Sequence, residues 1–84
     1  MAGIRFTRRA LRDIRKVPPE ARRMVEVALD QLMDDPRSGD RLHGEWEGYW
    51  KLRAGDYRII YRILDGTLVE VQYVRHRRDL RRTG

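Results

Sequence analysis

The residues best suited to chemistry in this chain are cations, and they gather in its C-terminal part. Lys51, Arg53 and Arg58 are closely spaced, and His76 and Arg77 follow further along the chain. Arginine presents a planar fork of donors that matches a phosphate group, whereas lysine acts as a compact point charge. Histidine, with an unperturbed pKa of about 6.5, suits proton transfer near neutral pH. These residue types together favour chemistry on a phosphate-containing substrate.

The distribution of charge supports a polyanionic partner. The 84 residues carry 19 basic and 13 acidic side chains, and 17 of the basic ones are arginine. Residues 1–24 hold 8 basic and 2 acidic residues, residues 25–50 hold 2 and 7, and residues 51–84 hold 9 and 4. A GC-rich genome alone can produce an excess of arginine, but an acidic centre between two basic ends indicates one basic face. Nucleic acid fits this face better than a membrane, because no strongly apolar amphipathic segment accompanies the charge.

Length and composition exclude several classes of protein. One domain, residues 1–84, is too small for a multidomain enzyme, a doubly wound nucleotide fold or a barrel. The chain has no cysteine, and its two histidines, His43 and His76, lack partners at ligand spacing. We therefore expect no disulfide, no metal site and no cofactor. Because no apolar run approaches the roughly 20 residues of a membrane span, and no signal peptide is recognisable, we expect a cytoplasmic protein.

Apolar periodicity predicts the elements that must position the cations. Residues 3–7 alternate weakly as a strand, and Thr7 is a candidate N-cap for a helix that ends at Pro18-Pro19. A second amphipathic helix is predicted over about 20–35, and a loop over 36–44. Alternation then predicts a strand through Trp46 and Trp50, followed by strands at 57–64 and 67–75. The fold class predicted is α+β: an N-terminal strand, a two-helix hairpin and a three-stranded antiparallel meander, with helices covering one face of a small antiparallel sheet.

The predicted hairpin at Asp65-Gly66 indicates which side chains share a face. A two-residue loop there places Arg58 opposite Tyr73 and Arg62 opposite Val69, and Arg75 on the same side as Arg58. We infer a concave basic surface that holds Lys51, Arg53, Arg58 and Arg77 and that His76 could join, with Tyr49 and Tyr73 placed to stack on bases. Trp46 and Trp50 are expected in the core.

The bland alternative is that these arginines simply extend from a sheet surface into water. Two observations weigh against it. The cations converge from separate segments, and Arg58 interrupts an otherwise apolar central strand. A cation in such a strand must be paired, solvated in a cleft or kept for a ligand.

The run from Leu42 to Ile63, which includes GYWKLRAGDYRIIY, resembles the RelE/ParE superfamily of bacterial toxins. In that family an L-x-G…W-x-x-R-x-G-x-Y-R-ϕ-ϕ-Y stretch enters the same hairpin. The residues from His76 to Asp79 resemble the family ending H-R-x-D-ϕ-Y, and Phe6-Thr7 and Asp35-Pro36 also fit. The likeness covers almost the whole chain, and G-D-Y-R-I-I-Y resembles the RelE branch more than the ParE branch.

This resemblance implies the toxin of a type II toxin–antitoxin system in the bacterial cytoplasm. RelE-like members are endoribonucleases, or mRNA interferases, that enter the ribosomal A site and cut mRNA there without a metal. The 2′-hydroxyl attacks the adjacent phosphate and leaves a 2′,3′-cyclic phosphate. The implied partners are a cognate antitoxin in a toxin–antitoxin hetero-oligomer, the 70S ribosome and mRNA, with no membrane.

The resemblance also implies roles for single residues. Arg58 matches the arginine that clamps the phosphate, and Lys51 matches a lysine near the attacking hydroxyl. Arg77 matches a second phosphate arginine, with a possible role at the leaving group. His76 stands where some members carry a basic or catalytic residue, and Arg53 would hold the RNA backbone.

One position departs from the family pattern. Arg81 stands where the family often has a tyrosine that stacks on the substrate base. Arginine can stack by a cation–π contact, and Tyr49 or Tyr73 could supply another aromatic ring. Two other functions stay open: a ParE-like toxin that binds and inhibits DNA gyrase without catalysis, and a basic nucleic-acid-binding module without toxicity.

Overall fold

A computed structural model of the chain describes residues 2–78 as two helices packed on one face of a five-stranded sheet. The predicted α+β class is confirmed. No helix within these residues is long and apolar enough to cross a membrane. The elements in chain order are β1 (Gly3–Phe6), α1 (Arg8–Lys16), α2 (Pro19–Asp34), β2 (Asp40–Arg41), β3 (Trp50–Ala54), β4 (Tyr57–Asp65) and β5 (Leu68–His76).

The strands lie in the order β1-β5-β4-β3-β2. Strand β1 runs parallel to β5, and every other pair is antiparallel. The expectation of a wholly antiparallel sheet was therefore wrong at its N-terminal strand, and the two-residue β2 was not foreseen. Apolar alternation shows that a segment is extended, but it contains no information on the direction of the neighbouring strand.

Helix α1 begins at the predicted cap and then lies along the edge of β5. Thr7 has extended backbone, and its hydroxyl accepts the N–H of Ala10 at 3.0 Å and donates to the carbonyl of Gln72 at 2.6 Å. One turn later a carboxylate oxygen of Asp13 accepts the N–H of Val74 at 3.1 Å. Because β1 pairs only with Leu68–Val71, these side chains bond the part of the β5 edge that β1 leaves uncovered.

Alternate residues of β4 and β5 build the core against the helices. Ile59 and Tyr61 are fully buried on the helix side of β4, together with Leu32 of α2. The same side of β5 contributes Val69, Val71 and Val74. The opposite side of the sheet, which we call the open face, therefore displays the even-numbered residues of β4, among them Arg58.

The β4–β5 register differs from the prediction by one to two residues. Arg58 lies opposite Arg75, not Tyr73, and Arg62 lies opposite Glu70, not Val69. Asp65 accepts the Thr67 N–H at 2.9 Å, which places the turn at Gly66-Thr67, and irregularities follow at Ile63/Asp65 and Ile60/Tyr61. Two bulges restore the alternation, so Arg58, Tyr73 and Arg75 still share the open face.

The predicted strand through Trp46 was also wrong. Gly44–Trp46 forms a 3₁₀ turn, and Gly44 and Gly48 adopt positive φ angles of 70° and 93° that end strand geometry there. Trp50 packs on the core as expected, with its ring 6.2 Å from that of Tyr61. Trp46 instead is 38% exposed and lies over the open face, because its loop crosses β4 to reach Tyr73.

Tyr61 connects the central strand to the loop after α2, which makes it a test of the fold. Its hydroxyl donates to the carbonyl of Pro36 at 2.7 Å and accepts the N–H of Gly39 at 3.2 Å. Tyr61→Phe should lower the free energy of unfolding at pH 7 by about 1–2 kcal/mol, because both loop groups lose a partner. Chemical denaturation measures this loss, and an unchanged value would contradict it.

The same contact predicts a pH dependence. Burial raises the pKa of Tyr61 from 10 to about 12 in the folded chain. The stabilisation is thus complete below pH 10 and is lost as the pH rises through 12, because the phenolate cannot donate to Pro36. Between pH 10 and 12 the native chain should lose more stability than Tyr61→Phe. If the free energy of unfolding falls by the same amount in both proteins between pH 10 and 12, this assignment is wrong.

Candidate nucleic-acid interface

Three arginines lie side by side across the open face. Arg53 of β3 pairs with Arg58 of β4, and Arg58 pairs with Arg75 of β5. Directly opposed residues in a sheet have Cβ atoms about 5 Å apart, so these three form one cross-strand line, which we call the arginine row. The next line consists of Asp40, Lys51, Ile60 and Tyr73, so Asp40 of β2 lies directly opposite Lys51. The register therefore brings together Lys51, Arg53 and Arg58, as the sequence predicted, and adds Arg75.

Burial and electrostatic repulsion both act on Arg58 at the centre of the row. Burial lowers the pKa of Arg58, the positive charges of Arg53 and Arg77 lower it further, and Asp56 acts in the opposite direction. A guanidinium stays protonated even so. Arg58 is therefore a half-buried cation among other cations, a position in which an anion would be bound favourably.

Arg77 reaches the row because the end of β5 is tied to the β3–β4 turn. Its backbone N–H donates to the carbonyl of Asp56 at 2.7 Å, and its Nε lies 3.7 Å from Oδ1 of the same residue. The ion pair is exposed on both sides. The backbone hydrogen bond holds the chain after β5 beside Arg58, and the Arg77 side chain stays accessible to a ligand.

Cations at the other end of the open face are neutralised. Arg5 of β1 forms an ion pair with Glu70 at 3.0 Å, and Arg62 lies opposite Glu70 across the hairpin. A hydrogen bond from Gln72 is the largest cause that lowers the pKa of Glu70, and Arg5 and Arg62 add to it. In residues 2–78, Asp56 lies beside the arginine row, and Asp40 lies opposite Lys51 on the next line. The positive potential is thus concentrated around Arg58.

Three aromatic rings border the arginine row. The ring of Trp46 lies 5.5 Å from that of Tyr49 and 5.9 Å from that of Tyr73, in edge-to-face arrangements. We call Trp46, Tyr49 and Tyr73 the aromatic cluster. The guanidinium of Arg75 lies 5.6 Å from the centre of the Tyr73 ring, which directs it from the arginine row towards the cluster. The two predicted stacking tyrosines therefore lie next to the predicted phosphate-binding cations.

His76 lies on the other side of the sheet. It is the residue after Arg75, and its ring packs edge-to-face on Tyr57 at 5.2 Å, in a groove that Asp13 and Lys16 of α1 also line. Its Nδ1 accepts the N–H of Arg78 at 3.2 Å. The structure thus does not bring His76 to the arginine row. Arg81 lies outside the described residues.

Sequence reasoning left two neighbours of the site unassigned. Arg75 follows Tyr73 by two positions, so strand alternation already indicated its face, but no family motif marked it. Arg9 of α1 lies 4.4 Å from the centre of the Tyr73 ring, a contact that the sequence does not reveal. It exists because α1 packs along the edge of β5, and the sequence contains no simple signal for that packing.

The row should respond to a small anion. Sulfate should raise the melting temperature of the native chain more than that of Arg58→Gln, because the anion relieves repulsion that the variant lacks. Arg58→Gln alone should unfold at an equal or higher temperature without sulfate, since like charges directly opposed across a sheet are destabilising. Thermal unfolding in sulfate and in chloride of equal ionic strength measures both effects.

The matched control is Arg23→Gln, which removes the same charge from an exposed position on α2. It should respond to sulfate as the native chain does, since sulfate also stabilises proteins by exclusion from their surfaces. Equal responses of the Arg58 and Arg23 variants would show that the arginine row binds no anion.

Comparison with known proteins places this geometry in a family. Residues 4–81 match the model of the ParE toxin of type II toxin–antitoxin systems. Toxin RelG of Mycobacterium tuberculosis is 42% identical over 82 residues, which cover 94% of each chain. The mRNA interferase toxin RelE of Escherichia coli is 32% identical over 66 residues, covering 76% of this chain and 70% of that protein.

A solved structure agrees with the sequence relatives. The fold is similar to the toxin–antitoxin complex RelBE2 of Mycobacterium tuberculosis, with a TM-score of 0.79, 40% identity, and coverage of 89% of this chain and 96% of that one. The sequence and the fold thus point to the same group of proteins. The chain belongs to the RelE/ParE superfamily of type II toxins.

Proposed function

We propose that this protein is an mRNA interferase, a metal-independent endoribonuclease that cuts mRNA in the ribosomal A site. The observation that carries the proposal is the alignment of Arg53, Arg58 and Arg75 beside Lys51 on one open face. The name of the Escherichia coli relative, mRNA interferase toxin RelE, supports the same reaction. A face of this charge suits a phosphodiester and disfavours a divalent cation.

The proposed reaction needs no group beyond the RNA, the side chains of the site and solvent water. The 2′-oxygen forms a bond to the adjacent phosphorus, the bond from phosphorus to the 5′-oxygen breaks, and a 2′,3′-cyclic phosphate remains. Solvent water takes the proton that the 2′-hydroxyl loses and returns one to the departing 5′-oxygen, because the guanidinium groups of the site stay protonated throughout. Negative charge accumulates on the phosphorane oxygens in between, so fixed cations around the phosphate lower the barrier.

The positions of the side chains suggest a separate role for each cation. Arg58, at the centre of the row, clamps the scissile phosphate, and Arg53 holds the neighbouring backbone. Lys51, one line further along β3, stabilises the oxygen of the attacking hydroxyl. Arg77, held at the row by Asp56, contacts the phosphate from the side of the leaving group. Arg75 supports the phosphate from β5.

The proposed partners follow from the same surface. A cognate antitoxin with an acidic, amphipathic segment would fold across the basic open face and neutralise it, giving a toxin–antitoxin hetero-oligomer. The RelBE2 structure, a toxin–antitoxin complex of a relative, supports this partner. The 70S ribosome would supply the mRNA in a bent conformation that the small site does not impose on free RNA.

The activity is tested with purified protein, ribosomes and a defined mRNA. The native chain should cut ribosome-bound mRNA and hardly cut naked RNA. Arg58→Ala and Arg77→Ala should each lower the single-turnover cleavage rate by a factor of about 100 or more, because each removes a cation from the transition state. Mapping of the 5′ ends locates the cuts.

The matched control is Arg23→Ala, which removes an exposed arginine on the helix side. It should cleave at the native rate. Full activity of Arg58→Ala would remove the site assignment. A parallel DNA supercoiling assay covers the gyrase alternative: inhibition of supercoiling by a chain that leaves translation intact would contradict the ribonuclease proposal.

His76 needs a separate measurement, because the resemblance assigns it a catalytic place and the structure puts it behind the sheet. We expect His76→Gln to retain most of the cleavage rate, far above that of Arg58→Ala, and to leave the pH–rate profile unchanged. A loss as large as that of Arg58→Ala, together with a shifted profile, would show that the imidazole reaches the reacting atoms.

A further inference from the structure

A shallow cleft beside the arginine row has no role in the reaction described above. It lies between the N-terminal turn of α1, the 3₁₀ turn and β5. It is lined by the rings of Trp46, Tyr49 and Tyr73 and by Arg9 of α1, whose guanidinium lies over the Tyr73 ring. Trp46 is among the few large apolar side chains in residues 2–78 that are left more than a third exposed.

The cation that lines the cleft, Arg9, lies against an aromatic ring. Its guanidinium lies 4.4 Å from the centre of the Tyr73 ring, and outside the cleft Arg62 lies 5.7 Å from that of Tyr49. Rings and guanidinium planes are the two kinds of surface on which proteins stack unpaired bases. Charge and flat apolar area are thus combined in one place, as recognition of a nucleobase attached to a phosphate chain requires.

Two polar groups of the cleft already have partners within the protein. The Thr7 hydroxyl bonds to Gln72 and Ala10, and the Gln72 amide donates to Glu70 at 2.6 Å. The ring that the cleft offers to a base is that of Trp46, because Tyr73 is buried and has Arg9 over it. A site of this kind distinguishes a base from no base much more strongly than it distinguishes one base from another.

The distance to the arginine row fits one nucleotide. Tyr73 lies two residues before Arg75 on the same side of β5, which corresponds to about 7 Å along the strand. A phosphate on Arg58 and Arg75 would therefore bring the base of its own or the adjacent nucleotide to the aromatic cluster. Arg75, which belongs to the row and also contacts the Tyr73 ring, joins the two sites.

We propose that this cleft is a base-stacking subsite for single-stranded RNA, with Trp46 as its exposed platform and Arg9 as the neighbouring cation. It rests on the proposed function in so far as RNA occupies the arginine row. The subsite holds an unpaired base, purine or pyrimidine, next to the phosphate on Arg58. The stacking residue of this subsite lies within residues 2–78. The family resemblance, in contrast, places the stacking residue in the C-terminal tail.

Non-cleavable RNA separates stacking from chemistry. The probes are a 2′-O-methyl trinucleotide and its abasic counterpart, with affinity measured by calorimetry at low salt. The native chain should bind the base-bearing probe about tenfold more tightly, in line with the effect of one stacked base. Trp46→Ala should abolish this preference, Trp46→Phe should retain most of it, and purine and pyrimidine probes should differ only slightly.

Two control variants make the outcomes decisive. Arg58→Ala should weaken both probes equally and leave the tenfold preference intact, because it removes phosphate binding alone. Arg41→Ala, which removes the arginine 5.5 Å from the centre of the Trp50 ring outside the cleft, should behave as the native chain. Equal binding of both probes by the native chain, or a full preference in a folded Trp46→Ala, would overturn the proposal.

Fluorescence adds a readout that does not depend on affinity differences. The base-bearing probe should quench the emission of the native chain, and the quenching should vanish in Trp46→Phe, where Trp50 remains. If the base preference depends on Trp46 while the protein cuts no mRNA on ribosomes, the subsite stands and the proposed nuclease function fails. If cleavage is normal and the preference is absent, only the subsite fails.

Discussion

Repulsion between arginines is the constraint on which the open face depends. Three guanidinium-bearing residues occupy one cross-strand line, and Arg77 adds a fourth from the end of β5. Nothing in their mutual interaction favours this arrangement. It persists because the opposite side of the same strands carries fully buried residues such as Ile59 and Tyr61. The core stabilises the backbone, and the backbone holds the cations close together against their mutual repulsion.

The edge of β5 is the second determinant of the site. Because β1 is short, Thr7 and Asp13 of α1 bond the edge between Gln72 and Val74. This docking places the first turn of α1 beside Tyr73 and brings Arg9 to its ring. A helix that belongs to the opposite layer thus contributes a side chain to the open face. Local bonds at a strand edge therefore shape both the fold and the cleft.

The sequence predicted the elements better than it predicted their relations. Alternation and helical spacing located both helices and the central hairpin, and Thr7 was recognisable as a cap. Register was not predictable, because the carboxylate of Asp65 moved the turn and bulges absorbed the difference. Trp46 was misplaced because alternation cannot reveal that Gly44 and Gly48 leave strand geometry. The prediction that Arg58, Tyr73 and Arg75 lie on one face was still correct, because the two bulges compensate for the shift in register.

The contrast between the two ends of the open face argues for a polyanion rather than a solvated surface. At one end Glu70 neutralises Arg5 and lies opposite Arg62, so an anion there would have to displace an existing partner. Around Arg58 the repulsion is left largely uncompensated, and an incoming phosphate gains attraction and relieves repulsion in the same step. RNA and an acidic antitoxin segment would both use this gain. Because they need the same cations, occupation of the row by one excludes the other, which makes neutralisation of the proposed nuclease a consequence of the charge pattern itself.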